Sequence, residues 1–360
     1  MSATANIIAL NELLDQLAEI GLDGAILHKR ENIRYFSGFT GEGLLLVARG
    51  KRAIVTDFRY IEQAGLQAPD WIAASVAPER SHIATAFALL SGEKRLAFED
   101  DYVSVAAMRK INQEMPGITF TPIERRPEKL REIKTPVEIE NIAKACAIAC
   151  AALESILGEI KPGRTEREIV WTLERAMLER GAEKPSFETI AASGPNGSLP
   201  HAVPTDRRLE KGDFLTLDFG AMYNGYCADV TRTLAIGAPS ADKRKVYETV
   251  LSAQLIALDA IKPGRLCTEI DSAARDYIYA AGYEGMFGHG LGHSLGLRIH
   301  EDPRFSQAAG DAVVKVGHVM TVEPGIYRPG TDGVRIEDTV KITENGAVRL
   351  TNMSKELITL

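Results

Sequence analysis

Four stretches of this sequence repeat one arrangement, an acid two residues from a threonine on the same side of a strand. In F-L-T-L-D-F-G, period-two alternation puts Phe214, Thr216 and Asp218 on one side and Leu215, Leu217 and Phe219 on the other. The same alternation joins Asp229 to Thr231 and Thr233 in A-D-V-T-R-T-L, and Glu323 to Val319 and Thr321 in V-M-T-V-E-P-G. It joins Glu337 to Arg335 and Thr339 in V-R-I-E-D-T-V. A single acid of this kind is explained by an edge position or a surface ion pair. Four in one region point to convergence. Four carboxylates meeting in one interior repel, and several would have to be protonated. Two divalent cations remove that repulsion, four positive charges against four negative, and they supply an activated water as nucleophile. The chemistry implied is metal-assisted hydrolysis.

Histidines add to the set. The run G-H-G-L-G-H-S-L-G-L-R-I-H-E-D-P carries His289, His293 and His300 among closely spaced glycines, which let backbone approach a ligand. His201 lies in L-P-H-A-V-P, an extended segment stiffened by prolines. Type and spacing do not separate His289 from His293 as a ligand. His28, His82 and His318 stand alone and read as surface or packing residues.

The elements that must position these residues fall into two parts. At roughly 100–200 residues per domain, 360 residues suggest two domains. Residues 1–125 alternate strand-like runs (25–27, 44–47, 53–55, 72–76, 95–98) with helical patterns (5–20, 58–65, 82–90, 103–113), as a small α/β domain does. Residues 126–136, with Pro127, Pro136 and clustered charge, read as a linker or short connecting helix. The second domain, 137–360, opens with a helix to about 158, capped by Thr135 with Pro136 in its first turn. A second helix follows Thr165, with Glu168 completing a capping box, and ends near Gly181. Strands, two further helices (241–261 and 268–281) and strands again complete it. The order helix, helix, strands, twice over, suggests two similar halves. The acids at 218 and 229 flank Tyr223, Asn224 and Gly225, which suit a hairpin.

Composition excludes some classes. A formal net charge of −7 argues against nucleic acid or an anionic membrane as partner. No uninterrupted run of ~18 apolar residues stands out as a membrane span, and the N-terminus lacks a basic region followed by a long apolar one. Cys146, Cys150, Cys227 and Cys267 form no C-x-x-C pair and read as small buried residues. A reducing, cytoplasmic location is the expectation.

Taken with N-I-R-Y-F-S-G-F-T and T-D-F-R-Y near residues 32–60, these motifs resemble the creatinase/prolidase/methionine aminopeptidase metallopeptidases. The resemblance covers almost the whole chain. It implies an α+β fold: an N-terminal creatinase-like α/β domain followed by a pita-bread metallopeptidase domain. It also implies the ligand set. Asp218 would hold one metal, Asp229 and Glu337 would bridge two, and His293 and Glu323 would complete the ligands of the second metal. His293 precedes His300 by seven positions, as the family's ligand precedes its H-E-x-P histidine, so His289 becomes a supporting residue. His201, His300 and Glu323 would be catalytic. His201, His300, Arg304, Tyr327 and Arg335 would contact or orient substrate. An oxygen-rich site with one imidazole suits Mn²⁺ first, with Co²⁺, Zn²⁺ or Fe²⁺ as alternatives. The implied activity is a Xaa-Pro aminopeptidase of the aminopeptidase P type, acting on short peptides with proline second, in a homodimer. The alternative is a Xaa-Pro dipeptidase (prolidase), with Arg304 capturing the free carboxylate after proline. Phe187 and Tyr223 are candidates for a proline pocket, with core packing the competing role. A metal-free creatinase-like hydrolase, a lyase on the same metals and a non-catalytic binding member rank lower, because every ligand position is filled. A methionine aminopeptidase ranks lower too, because that branch usually lacks the first domain.

Overall fold

Alternating apolar runs and amphipathic helical periods build the first unit, which ends at Arg131; the second begins at Glu132. The computed structural model describes residues 6–360. The first unit runs α1 (Ile7–Glu19), β1 (Gly24–Leu27), α2 (Arg30–Ser37), β2 (Leu44–Ala48), β3 (Lys51–Thr56), α3 (Ile61–Gln67), β4 (Ile72–Ser75), α4 (His82–Ala88), β5 (Arg95–Phe98), α5 (Val105–Glu114) and β6 (Thr119–Pro122). Its six strands form one sheet in the order β4-β3-β2-β1-β5-β6. Only β2 runs against its neighbours. Fully buried β1 and β2 read as unbroken apolar runs because helices cover both faces. The stretch from 126 to 136 holds a helix, α6 (Arg126–Glu132), followed by a short extended segment. Glu128 of α6 takes hydrogen bonds from Lys29 and Asn32 of the first unit.

The second unit opens with α7 (Pro136–Ile156) and α8 (Glu166–Glu179), both started by the anticipated capping boxes, Thr135 with Glu138 and Thr165 with Glu168. By length and composition Pro136–Glu159 does pass as a membrane span, contrary to the reading from sequence. Charges at Glu138, Glu140 and Lys144 interrupt the run, which hid its mean character. Half of the span is buried, with Ile142, Ala145, Cys146, Ala149 and Leu153 in the core, so its apolarity is used inside the protein. All four cysteines are buried, and none forms a disulfide.

Strands β7 (Lys184–Pro185), β8 (Ile190–Ser193), β9 (Phe214–Phe219), β10 (Ala221–Tyr223), β11 (Tyr226–Cys227) and β12 (Val230–Ala235) follow. They form two small sheets, β12-β9-β8 and β11-β10-β7. The 218–229 connection is a hairpin within a hairpin. Asn224 and Gly225 turn β10 into β11 with φ of 47° and 72°, the left-handed pair that a two-residue turn of this hand needs. Helices α9 (Ala241–Ala260) and α10 (Cys267–Ala280) pack on each other ahead of the last strands. These are β13 (Gly292–Ser294), β14 (Glu301–Phe305), β15 (Val319–Val322), β16 (Gly325–Arg328), β17 (Asp332–Arg335), β18 (Asp338–Thr343) and β19 (Gly346–Arg349). The main sheet has the order β14-β13-β15-β18-β19, with β16-β17 a separate ribbon. Two apolar clusters back these sheets, one from α7, α8 and β9, the other from α9, α10 and the late strands.

Candidate metal centre

Of the four acids, only Asp218 lies inside a strand. The expectation that each sits within its own strand is corrected for the other three. Asp229 precedes β12, Glu323 follows β15, and Glu337 occupies the break between β17 and β18. The reason is local: where a ladder stops, the backbone turns and can aim a side chain at a common point. The threonine alternation nonetheless describes real contacts. Thr231 Oγ1 donates to Glu337 Oε2 (2.6 Å), Thr321 Oγ1 donates to Glu323 Oε1 (3.1 Å), and Thr339 Oγ1 donates to the Asp229 carbonyl (2.7 Å). Thr216 and Thr233 bond each other at 3.0 Å across β9 and β12.

The acids converge. Carboxylate oxygens of Asp218, Asp229 and Glu337 all lie within 4.8 Å of one another. His293 Nε2 stands 3.5 Å from Asp229 Oδ2 and 3.4 Å from Glu323 Oε1. Gly292 makes this approach feasible, since a Cβ there would lie 2.1 Å from the Thr321 carbonyl on β15. Arg335 shares the centre with these acids. It is buried, and its guanidinium reaches Asp218 Oδ2 at 2.7 Å and Tyr327 Oη at 2.8 Å.

Three observations say that this arrangement fits a divalent cation. First, burial pushes the carboxyls of Asp229 and Glu337 well above the usual carboxylate range, and the neighbouring acids push further. Burial likewise lifts Glu323 to about 8, against the pull of Arg335. One guanidinium does not balance four acids. Second, Asp218 Oδ1 and Glu337 Oε1 are buried without a hydrogen-bond partner, and an orphan oxygen of this kind needs one. Third, His293 Nδ1 faces the Ser294 carbonyl at 3.1 Å and must donate to it, because a carbonyl only accepts. Its Nε2 therefore presents a lone pair toward Asp229 and Glu323, as a metal-ligating imidazole does. Burial, with His300 next, lowers the pKa of His293 to about 3, so the ring is neutral and keeps that lone pair.

The other anticipated residues fall around this cluster. His300 meets His293 edge to face, ring centroids 4.5 Å apart. His289 accepts from Tyr327 Oη (2.8 Å) and donates through Nδ1 to the Gly290 carbonyl (2.8 Å), so it supports Tyr327 and leaves His293 to face the acids. His201 is exposed, and a positive charge there would lower the pKa of both His289 and His300. Arg304 pairs with His293 across β13 and β14, and its side chain is 54% exposed. Tyr223 packs against the apolar clusters, the packing role that was one of its two readings, and Phe187 is half-buried between β7 and β8.

Sequence reasoning passed over Arg232. It is buried, donates to the carbonyls of Thr231 and Glu337 (2.9 and 2.5 Å) and pairs with Asp338 (2.8 Å). It thus clamps the backbone on both sides of the centre. Alternation put it on the apolar face of β12, and a charged residue at such a position was the available signal.

Comparison with known proteins gives the family. The family profile described as Creatinase/Prolidase N-terminal domain matches residues 10–133, and that of metallopeptidase family M24 matches residues 140–344. The chain is 40% identical to a Xaa-Pro dipeptidase of Pyrococcus furiosus over 97% of this chain and 99% of that one. Among solved structures, a Xaa-Pro dipeptidase from Bacillus anthracis is similar with a TM-score of 0.95 at 41% identity, covering 98% of this chain and 99% of that one. An X-Pro aminopeptidase from Thermotoga maritima is similar with a TM-score of 0.90 at 35% identity, with the same coverage.

Proposed function

That this chain belongs to metallopeptidase family M24, with the creatinase/prolidase domain ahead of the peptidase domain, is the premise from which we propose that it is a Xaa-Pro dipeptidase. The reading from sequence put the aminopeptidase P type first. The similarity to dipeptidases at 40–41% identity along the full chain, against 35% for an aminopeptidase, supports the reverse order. The observation that carries the dipeptidase reading is the setting of Arg304. A dipeptidase needs a cation for the free carboxylate directly after proline. Arg304 sits one strand from His293, and its nearest acid, Asp302, is 3.8 Å away, so the guanidinium has donors to spare.

Asp218, Asp229, His293, Glu323 and Glu337 would hold two divalent ions, Mn²⁺ first by the oxygen-rich donor set. Bound there, the ions would polarise the scissile carbonyl and lower the pKa of water. Glu323 then takes the proton from the attacking water and passes it to the leaving nitrogen. His300, kept neutral by burial and by Arg304, donates to the carbonyl oxygen as it gains charge, with His201 beside it. Arg335 and Tyr327 hold Asp218 in place. The substrate is a short Xaa-Pro peptide, and a homodimer is part of the same reading.

A peptide-length series tests the proposal. An Xaa-Pro dipeptide is expected to turn over with kcat/KM at least about 100-fold above that of an Xaa-Pro-Xaa tripeptide, a charge-assisted carboxylate contact being worth a few kcal/mol. Arg304→Ala should raise KM for the dipeptide about tenfold or more and leave the tripeptide nearly unchanged. Preference for the tripeptide would return the aminopeptidase reading to first place.

A further inference from the structure

Behind the two facing histidines lies a lysine shut away from water. The Lys134 side chain is 1% exposed. Its Nζ donates to Ser294 Oγ at 2.8 Å and stands 3.2 Å from Glu301 Oε2. Its own backbone is fixed from elsewhere: the Lys134 N–H donates to the Gly317 carbonyl (2.9 Å), and the next residue, Thr135, caps α7. The ammonium therefore reaches the β13–β14 pair from a separately anchored segment.

Its two partners are the immediate neighbours of the histidines. Ser294 follows His293, and Glu301 follows His300. Ser294 and Glu301 are partners across the two strands, and the register shifts between His293 and Ser294. At such an irregularity the ladder alone does not set how side chains are aimed. Glu301 is held on its other oxygen too, Oε1 accepting from the Arg298 N–H (3.1 Å), which ties down the turn leading into His300. A buried ion pair is a weak source of net stability, because desolvation offsets the attraction, and setting register is its best-attested use.

We propose that Lys134 is a positioning residue, whose ammonium, holding Ser294 and Glu301 across the irregularity, sets the separation and aim of His293 and His300. The proposal rests on the roles given to those two histidines above. It separates two properties that a purely structural ion pair would keep together. Replacing both charges by neutral residues of similar volume restores stability but not position.

The test compares full-length wild type, Lys134→Met and Lys134→Met/Glu301→Gln, the glutamine keeping an acceptor for the Arg298 N–H. Lys134→Met removes the buried cation beside Glu301 and is expected to lower Tm; the double variant should recover most of that loss. In both, the imidazole ¹H–¹⁵N correlations of His293 and His300 in metal-free protein should shift, while those of His28 and His82 stay in place. The double variant should keep kcat on an Xaa-Pro dipeptide at least about tenfold down, as expected when a reacting group is displaced by a fraction of an ångström or more. Adding His300→Ala should then cost much less than it does in wild type, because the position it depends on is already lost. Recovery of both ring signals and kcat in the double variant overturns the proposal, as do strictly additive losses. If Lys134→Met does not fold, the double variant decides alone. If wild type cleaves no Xaa-Pro peptide, the functional reading fails, and the ring signals of the metal-free protein still decide the role of Lys134.

Discussion

A carboxylate that faces two other acids and an imidazole lone pair has no neutral substitute in a metal site. Asp229→Ala and Glu337→Ala are each expected to remove metal uptake and activity together, as measured by metal analysis of the purified variants beside a dipeptide assay. His300→Ala should behave differently, keeping its metal while kcat falls by a factor on the order of 10² or more. Metal loss in that variant would mean that ligand and catalyst have been confused. A quieter residue sets part of the acid stability. His318 is 1% exposed, and burial, with Lys134 and Lys315 next, lowers its pKa to about 3. Its folded value lies below the unfolded value, so its contribution is complete above pH ~6.5 and is lost as pH falls toward 3. His318→Gln is therefore expected to flatten the fall of Tm between pH 7 and 4.5. Parallel Tm curves for variant and wild type would remove His318 from this account.

Strand ends, more than strands, shape the centre. The ladder of β15 and β18 brings Glu323 and Glu337 to one end of the sheet, and β13 must come close enough to add His293. That closeness depends on Gly292, whose missing Cβ makes room for the Thr321 carbonyl. Gly292→Ala should push β13 away from β15 and lower metal affinity about tenfold or more, since ligand geometry must hold within a few tenths of an ångström. Titration of metal-free protein with Mn²⁺ would show it; unchanged affinity would mean that β13 can shift without moving His293. Helices were the legible elements here. Thr165 and Glu168 announced α8 because a capping box is written in four consecutive residues. Helix α2 had no such mark. It has no side-chain cap, and its buried Asn32 is satisfied by Glu99, Glu128 and Arg131, 67 to 99 residues away.

The chain carries separate apolar cores in its two units, while the acid cluster belongs wholly to the second. Ligands that bind only the folded state stabilise what they touch. Removing metal with a chelator is therefore expected to lower the unfolding transition of the second unit and leave that of the first within about 2 °C, a shift corresponding to well under 1 kcal/mol. Differential scanning calorimetry with and without chelator reads this directly. Equal shifts of both transitions would mean that the units unfold as one.

The kinds of chemistry available were legible along the chain because they depend on residue type and short spacing. Acids alternating with threonines, glycine-flanked histidines and two capping boxes are local patterns, and local physics reads them. The same patterns misplaced three acids inside strands, because where a ladder ends depends on its partner strand. They also left His289 and His293 equivalent, apart from the family resemblance. What separates those two is the neighbour each ring meets in space: Tyr327 for His289, Asp229 and Glu323 for His293. Arg335 took its buried place against Asp218, 117 residues away, and Lys134 reached Ser294 across 160. Contacts at such separations come from packing whole elements together, and no window of sequence contains them.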